Sequence, residues 1–300
     1  MLTAQQIKGV LPAIPTPVHA DDTIDVRATE VLLDYLLAAG VDGIVPLGGT
    51  GEYGALPRAQ RIRMAETVVD KVAGRVPVIP GVLDTGYFDA MQAGREFARA
   101  GADALMVLTP YYTTPTQAGI RDYFMRFADE SPLPVMIYEI PYRTRIAVQP
   151  SVMHELSRHE NIIGMKACNT DMYHFLQVVA GVDESFTVLS GEDTLFPMHL
   201  AAGARGGIVV TASLLPRAWK TMHALIAAGQ VKEGLALHRQ LMPLMNLAFA
   251  ETNPGPMKAV MDLIGVDAPR LLAPLVDADA GLVAKLRAET QKQIALSEQV

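Results

Sequence analysis

Residues 134–166, PVMIYEIPYRTRIAVQPSVMHELSRHENIIGMK, carry the pattern that decides the fold. One apolar run ends near Tyr138, a stretch with helical periodicity covers 150–158, and a second apolar run ends in Lys166. Short apolar runs separated by a helical stretch are typical of parallel strands that are buried on both faces. The stretch therefore predicts a βαβ unit with Tyr138 and Lys166 at the same end of neighbouring strands.

The same alternation repeats along the chain and predicts eight strand–helix units. The predicted strands, which share short apolar runs, are 9–16, 43–47, 76–80, 104–108, 134–139, 162–166, 186–190 and 206–210. The predicted helices, which share amphipathic periodicity, are 26–39, 58–72, 87–100, 117–128, 150–158, 172–180, 195–202 and 216–228. Eight such units predict an α/β protein with a (β/α)₈ barrel, the TIM barrel. An open doubly wound sheet is the alternative, but it needs a topological switch point that evenly spaced units do not call for.

The remaining length is assigned to a C-terminal helical region. A (β/α)₈ barrel uses about 250 residues, and the eight units end near residue 228 of 300. Beyond them the sequence shows only helical periodicity, over 231–250, 256–264 and 279–297. We therefore predict a catalytic barrel over 1–228 and a helical appendage over 229–300 that packs on it.

Composition limits the kinds of partner that the chain can bind. Half of the residues are hydrophobic, so the chain can bury a large core and is not a disordered protein. The formal net charge of −7 offers no positive stripe for phosphate groups, so we expect neither nucleic acid nor an anionic membrane as a partner. The single cysteine, Cys168, and an N-terminal stretch without the pattern of a signal peptide favour a cytoplasmic location.

Lys166 and Tyr138 are the first candidates for chemistry. Catalytic groups of (β/α)₈ barrels lie at the carboxyl ends of the strands, where both residues are predicted to lie. Burial disfavours a charged ammonium, and a neutral amine is a nucleophile that forms an imine with a carbonyl compound. A phenol beside it can move a proton to or from the carbonyl oxygen or the enamine carbon. The structural alternatives are a lysine that reaches solvent or pairs with a carboxylate, and a tyrosine with a hydrated hydroxyl.

A glycine-rich segment follows the second predicted strand. Gly49, Gly51 and Gly54 satisfy the G-x-G-x-x-G pattern of dinucleotide-binding proteins. We reject a dinucleotide site because Pro57 marks a helix start beyond the motif, whereas the dinucleotide fingerprint opens its helix within the glycines. The segment instead offers backbone N–H groups and the hydroxyl of Thr50, which suit a small carboxylate.

No metal site is expected. His154 and His159 superficially match H-E-x-x-H, but they are five residues apart and so diverge on a helix. The other histidines are scattered, and Cys168 has no partner at a ligand spacing, so a small core or rim residue is its expected role. We therefore expect no metal and no other cofactor.

Six motifs together resemble one family. They are GGTGE at 48–52, TPYY at 109–112, YEIPYRT at 138–144, GMK at 164–166, SGED at 190–193 and NPGP at 253–256. Each motif is weak alone, but their order and their spread over nearly the whole chain resemble the dihydrodipicolinate synthase and N-acetylneuraminate lyase family. The resemblance implies a lyase or synthase of the class I aldolase type that uses a Schiff base.

The resemblance also implies a role for each residue at a matching position. Lys166 would form an imine with pyruvate or another 2-oxo acid, and Tyr138 would be the general acid and base. Thr50 and the N–H groups of its loop would hold the carboxylate of the oxo acid, and the backbone of Ile208 would contact it. Tyr112 matches a tyrosine that reaches the site of a neighbouring subunit, which implies a homodimer and a homotetramer of two dimers.

Arg143, Gly49 and Glu139 bear on the choice of reaction. Arg143 falls where the synthase branch has an arginine for the carboxylate of aspartate semialdehyde, which favours the condensation of pyruvate with that aldehyde. A rim arginine paired with Glu139 is the structural alternative. Gly49 stands where the family has a hydroxyl residue that links two tyrosines in a proton relay, and Glu139 replaces a common asparagine near the pocket. These departures favour the alternative function, an aldolase or dehydratase of a 2-keto-3-deoxy sugar acid; a non-catalytic small-molecule binder is the third possibility.

Overall fold

The computed structural model describes residues 2–297 and shows an α/β fold built on one parallel sheet. Its strands are β1 (Gly9–Pro12), β2 (Gly81–Val82), β3 (Leu105–Leu108), β4 (Val135–Glu139), β5 (Ile162–Ala167), β6 (Thr187–Ser190) and β7 (Gly206–Val209). The order in the sheet is β1-β7-β6-β5-β4-β3-β2, and all neighbours are parallel. Every residue of these strands is buried, as in sheets covered on both faces. The predicted α/β class with a parallel sheet is confirmed.

Helices alternate with the strands and continue beyond them. They are α1 (Val26–Ala38), α2 (Arg58–Val72), α3 (Tyr87–Arg99), α4 (Gln117–Glu130), α5 (Pro141–Thr144), α6 (Pro150–Leu156), α7 (Met172–Val179), α8 (Phe196–Ala201), α9 (Pro216–Ala227), α10 (Val231–Ala248), α11 (Gly255–Lys258) and α12 (Ala280–Ser297). Several begin as their sequences require: the carboxylate of Asp25 accepts a hydrogen bond from Ala28 N, and α6 and α9 each start with proline. In the described part of the chain, no helix has the length and apolar character needed to cross a membrane.

Two predicted strands differ from the structure. Residues 43–47 form only isolated bridges, and the strand predicted at 76–80 is replaced by the two-residue β2. Prolines 46, 77 and 80 have no N–H group to donate, so a regular ladder of hydrogen bonds cannot form along these stretches.

Residues 43–47 nevertheless make parallel backbone contacts on both sides. Val45 N donates to Pro12 O at 3.0 Å, at the end of β1, and Ile44 N donates to Pro77 O at 2.9 Å, ahead of β2. The segment therefore lies between the two outermost strands of the sheet.

The helical region after residue 228 is tied to the glycine-rich loop by a buried ion pair. Lys258 Nζ, in α11, lies 2.7 Å from Glu52 Oε1 and donates to Thr16 O at 2.9 Å. The other carboxylate oxygen of Glu52 accepts from Leu272 N at 2.7 Å. Burial lowers the pKa of Lys258, and the carboxylate of Glu52 opposes this effect. The ammonium of Lys258 and the carboxylate of Glu52 are thus both buried, and each neutralises the charge of the other.

Lys258→Met is expected to lower the free energy of unfolding by about 3–5 kcal/mol, because it leaves a buried carboxylate without its partner. Denaturation in urea measures the loss. The control is Lys292→Met, since Lys292 pairs with Glu289 at 3.2 Å on the surface and its loss costs less than about 1 kcal/mol. Removing both buried charges, in Glu52→Gln/Lys258→Met, should recover part of the loss. Equal losses for Lys258→Met and Lys292→Met would contradict this account.

Candidate active site

Tyr138 and Lys166 lie side by side at the carboxyl ends of β4 and β5. They are paired residues in the parallel register, and Lys166 Nζ lies 4.5 Å from the centre of the Tyr138 ring. Tyr138 is 4% exposed and Lys166 is 5% exposed. The structure therefore brings together a buried amine and a buried phenol.

Burial sets the protonation of the phenol. It raises the pKa of Tyr138 well above the usual value of tyrosine, and the positive charge of Arg143 opposes this effect. The phenol is therefore neutral at physiological pH and has a hydrogen to donate. When a primary amine adds to a carbonyl carbon, the oxygen must leave that carbon as water. A neutral phenol beside the amine can protonate this oxygen.

The glycine-rich loop brings Thr50 to the same end of the sheet. Thr50 is buried, and its Oγ1 accepts a hydrogen bond from Asn253 Nδ2 at 2.9 Å. Because this oxygen accepts, the hydroxyl hydrogen can be donated to a ligand. A Cβ on Gly51 would lie 2.7 Å from Leu47 N, so the turn is too tight for any residue larger than glycine. Helix α2 starts at Arg58, beyond the glycines.

Arg143 lies on α5, a one-turn helix that the helical periodicity of the sequence does not predict. It directly follows β4, and its turn is closed by Thr144 Oγ1, which donates to Ile140 O at 3.1 Å. A Cβ on Gly49 would lie 3.4 Å from Arg143 Nη1, so the guanidinium packs against the glycine-rich loop. Pro141 at the first helical position is the sequence signal that predicts such a turn.

Two adjoining cavities surround Arg143. The larger, of about 800 Å³, is lined in part by Tyr142, Arg143, Glu192, Glu251 and Asn253. The smaller, of about 300 Å³, is lined in part by Gly49, Tyr111, Arg143 and Asn253. Arg143 and Asn253 face both cavities, so the two spaces meet between the glycine-rich loop and the end of α10.

Glu192 follows β6 and belongs to the SGED motif, but the sequence pattern does not predict it as a site residue. A Cβ on Gly191 would lie 2.9 Å from Lys166 Cγ, so this segment packs directly against the lysine. Glu192 Oε1 is buried, with no hydrogen-bond partner among the described residues. Burial raises the pKa of Glu192 to about 7; the charge of Asp193 adds to the rise, and Lys166 opposes it.

Two other predicted residues, Ile208 and Tyr112, line neither cavity. Ile208 is wholly buried in β7, where it pairs with Leu11. Tyr112 is 91% exposed with φ +71°, so its ring does not enter the site of its own chain. Tyr111, and not Tyr112, lines the smaller cavity.

Glu139 takes a supporting position instead of contacting the cavities. Alternate residues of a strand face opposite sides of the sheet, so Glu139 points away from the side of Tyr138. It is fully buried, its Oε1 accepts from Val148 N at 3.1 Å, and His174 Nε2 lies 3.8 Å from the same oxygen. This geometry therefore does not support the expected contact of Glu139 with substrate. The carboxylate of Glu139 pairs with Val148 N and His174 and not with Arg143. Glu139 anchors the segment that follows α5.

The histidines of the H-E-x-x-H-like stretch are engaged separately. The ring of His154 contacts Gln177 O at 3.0 Å, and the ring of His159 contacts Asp129 at 3.0 Å. Over residues 2–297, no group of three or more His, Cys, Asp or Glu side chains is arranged to hold a metal ion. Cys168 is buried, and its Sγ donates to Gly191 O at 3.3 Å.

Known proteins share both the sequence and the fold of this chain. The profile of the Dihydrodipicolinate synthetase family matches residues 6–293. The chain belongs to this family. It is 38% identical to the 4-hydroxy-tetrahydrodipicolinate synthase of Haloarcula marismortui over 275 residues, which are 91% of this chain and 90% of that protein.

Solved structures of dihydrodipicolinate synthases superpose on the structure of this chain. That of the enzyme from Thermotoga maritima has a TM-score of 0.93 at 30% identity and covers 96% of this chain and 98% of its own. That of a monomeric dihydrodipicolinate synthase variant has a TM-score of 0.93 at 29% identity and covers 96% of this chain and 97% of its own. The family is one of lyases and synthases, so the chain is an enzyme of this kind.

The raised pKa of Glu192 predicts how its replacement changes stability with pH. A folded-state pKa of about 7, above the ordinary 4.5, means that the folded protein holds this proton more tightly than the unfolded chain. The contribution of Glu192 to the unfolding free energy therefore falls as pH rises from 4.5 through 7. Glu192→Gln removes this loss, so relative to the natural protein it should gain about 2 kcal/mol between pH 5 and pH 8, allowing for partial exposure.

Urea denaturation at both pH values measures this difference. Glu251→Gln makes the same chemical change at an exposed carboxylate that lines the same cavity, and its stability relative to the natural protein should change by less than about 0.5 kcal/mol. If Glu192→Gln and Glu251→Gln behave alike, the carboxyl of Glu192 does not titrate as described.

Proposed function

We propose that the chain condenses pyruvate with aspartate semialdehyde through an imine on Lys166, the reaction of a 4-hydroxy-tetrahydrodipicolinate synthase. The observation that carries the proposal is the buried pair of Lys166 Nζ and the Tyr138 ring, 4.5 Å apart at the carboxyl ends of neighbouring strands. The name of the Haloarcula marismortui relative, 38% identical over most of both chains, supports the choice of reaction.

The chemistry begins with the amine. The Lys166 amine, once it has given up its proton, attacks C2 of pyruvate, and Tyr138 protonates the oxygen that leaves as water, which forms the imine. The imine withdraws electrons from C3, which loses a proton to the phenolate of Tyr138 and becomes an enamine carbon; this restores the phenol. That carbon forms the new carbon–carbon bond to the aldehyde carbon, and the aldehyde oxygen takes up a proton from solvent.

The glycine-rich loop holds the carboxylate of pyruvate in this proposal. The Thr50 hydroxyl has a hydrogen to donate because Asn253 already donates to its oxygen. Backbone N–H groups of the same turn add further donors, which suits an anion. The backbone of Ile208 completes the contact with the oxo acid, as the family resemblance implies.

Arg143 selects the second substrate. Its guanidinium faces both cavities and packs against Gly49, so it can form a bidentate pair with the carboxylate of aspartate semialdehyde. Lysine in its place would keep the charge but lose the planar fork.

A second candidate function is the cleavage or dehydration of a 2-keto-3-deoxy sugar acid. Gly49 favours it, because this position lacks the hydroxyl that would relay a proton between Tyr138 and a second tyrosine. The larger cavity, of about 800 Å³, also has room for a longer hydroxylated chain. The two reactions share the imine on Lys166 and differ in the substrate that fills this cavity.

Closure of the sheet into a (β/α)₈ barrel is part of the proposal. Residues 43–47 stand in the position of the missing strand, because Ile44 and Val45 bridge to the segments beside β2 and β1. In this view residues 1–228 are the catalytic barrel and 229–300 are a helical region packed on it. The Lys258–Glu52 pair and the Asn253–Thr50 bond join the two parts at the site.

Assembly into a homodimer, and then a tetramer, is proposed from Tyr112. Its ring is 91% exposed on a backbone with φ +71°, an uncommon conformation for a residue other than glycine. A ring held out from its own chain in this way suits insertion into the site of a second copy. A cytoplasmic location stays a prediction that rests on the composition.

Borohydride reduction in the presence of pyruvate tests the imine. We expect one covalent pyruvate adduct per chain, located at Lys166 by mass spectrometry of peptides. Lys166→Arg should form no adduct, whereas Lys220→Arg should form it normally, because Lys220 is a surface lysine paired with Asp42. Absence of an adduct in the natural protein would contradict both enzymatic candidates and favour a binder. Assays with aspartate semialdehyde and with 2-keto-3-deoxy sugar acids then separate those two.

A further inference from the structure

Glu192 is fixed by its backbone and presents its carboxyl to the larger cavity. Glu192 N donates to Ser190 Oγ at 3.3 Å, and Ser190 Oγ donates to Glu192 O at 3.2 Å. Ser190 Oγ also lies 2.8 Å from Nδ1 of the buried His199. The side chain lines the cavity, yet Oε1 is enclosed and has no hydrogen-bond partner among the described residues. A buried carboxylate oxygen without a partner is costly unless a ligand supplies a donor.

Charged and titratable groups face this carboxyl from each neighbouring element. Lys166 on β5 attracts it and Asp193 beside it repels it. Its charge is also felt by the phenols of Tyr138 and Tyr142 and by the thiol of Cys168. Arg143 and Glu251 line the same cavity. With its pKa near 7, the carboxyl can both accept and release a proton at physiological pH.

The proposed condensation leaves one step without a base. After the carbon–carbon bond forms, Lys166 must be released from C2, and the amino group of the second substrate can displace it by closing a ring. An ammonium group has no electron pair for this attack and must first lose a proton. Tyr138 cannot take that proton, because its phenol regains its hydrogen when C3 gives up a proton, and burial then keeps it neutral.

We propose that Glu192 is the catalytic residue that moves protons from the substrate ammonium to Lys166 during its release. The inference rests on the proposed function. An N–H bond of the ammonium breaks and its proton goes to Glu192. The freed electron pair forms a bond from the substrate nitrogen to C2 of the imine. The C2–Nζ bond then breaks, and Nζ takes its electron pair and the proton held by Glu192.

The step balances without another reactant. One ammonium and one imine become a ring imine and the ammonium form of Lys166. Three hydrogens and one positive charge pass from the substrate nitrogen to Lys166, and Glu192 carries the protons singly and ends as a carboxylate. The position of the Gly191–Glu192 segment against the Lys166 side chain suits this transfer.

Glu192→Gln tests the proposal because it keeps the shape and removes the acid. We expect pyruvate to be trapped on Lys166 as in the natural protein, while kcat for the condensation falls about 100-fold. KM for aspartate semialdehyde should stay within about threefold, since proton transfer and not binding is lost. The fall of kcat below about pH 7 in the natural protein should be absent from the residual activity. Glu192→Asp should restore part of kcat. The control is Glu233→Gln, at an exposed glutamate on α10 that lines neither cavity, and it should retain full activity.

Each contrary result has a distinct meaning. If the natural protein traps pyruvate and condenses it with aspartate semialdehyde but Glu192→Gln keeps its kcat and pH profile, the role of Glu192 is overturned. A rise in KM with unchanged kcat would instead show that Glu192 only binds the ammonium, which also overturns it. If the natural protein forms no adduct or has no condensation activity, the proposed function fails and the inference fails with it. Circular dichroism of Glu192→Gln and Glu192→Asp shows whether a loss of activity reflects unfolding. If Glu192→Gln is unfolded, the proposal is tested by Glu192→Asp, whose kcat should fall because its shorter side chain moves the carboxyl.

Discussion

The parallel pairing of β4 with β5 is the constraint on which the site depends. Tyr138 pairs with Lys166 only because the register shifts between Val135 and Met136, where one residue of β5 is passed over. Without the shift, Tyr138 would pair with Met165 and Lys166 with Glu139. A change of register by one residue turns side chains to the other face of a sheet. The irregularity therefore places the amine beside the phenol instead of beside a carboxylate.

The rest of the site is arranged around this pair by other parts of the chain. The glycine-rich loop presents Thr50, and its position is set by Asn253 and by the Glu52–Lys258 ion pair, both from beyond residue 228. The C-terminal region thus contributes directly to the position of the site. Arg143 is brought in by a single helical turn after β4.

The negative net charge of the protein does not describe the charge of the site. The formal charge of −7 is spread over the chain, whereas Arg143 faces both cavities. In the proposed function, Lys166 and the loop N–H groups hold the anionic oxo acid. Glu192 is the exception, and burial keeps it near the balance between its charged and neutral forms. A second substrate with both a carboxylate and an ammonium matches this mixture of one guanidinium and one carboxyl.

Sequence patterns predict the parts of this structure that depend on local order. The spacing of Tyr138 and Lys166 predicts one βαβ unit, and the structure contains that unit. Because the carboxyl ends of parallel strands lie at the same edge of a sheet, the two residues are neighbours. The apolar run at 43–47 predicts a strand, but apolar character alone does not account for proline, which cannot donate to a ladder of hydrogen bonds. The stretch therefore forms only isolated bridges. Asn253 lies 203 residues from Thr50, and no local pattern predicts such a contact. Glu192 lies just after the end of the predicted strand 186–190. Because catalytic groups of such barrels lie in the loops after the strands, this position is the sequence feature that marks Glu192 as a candidate site residue.

A crystal structure of the protein soaked with pyruvate tests the central claim most directly. The account predicts continuous electron density from Lys166 Nζ to C2 of pyruvate, with the carboxylate held by the Thr50 hydroxyl and the N–H groups of the glycine-rich loop. Pyruvate bound elsewhere, or bound in the site with Nζ unattached at saturating concentration, would contradict it.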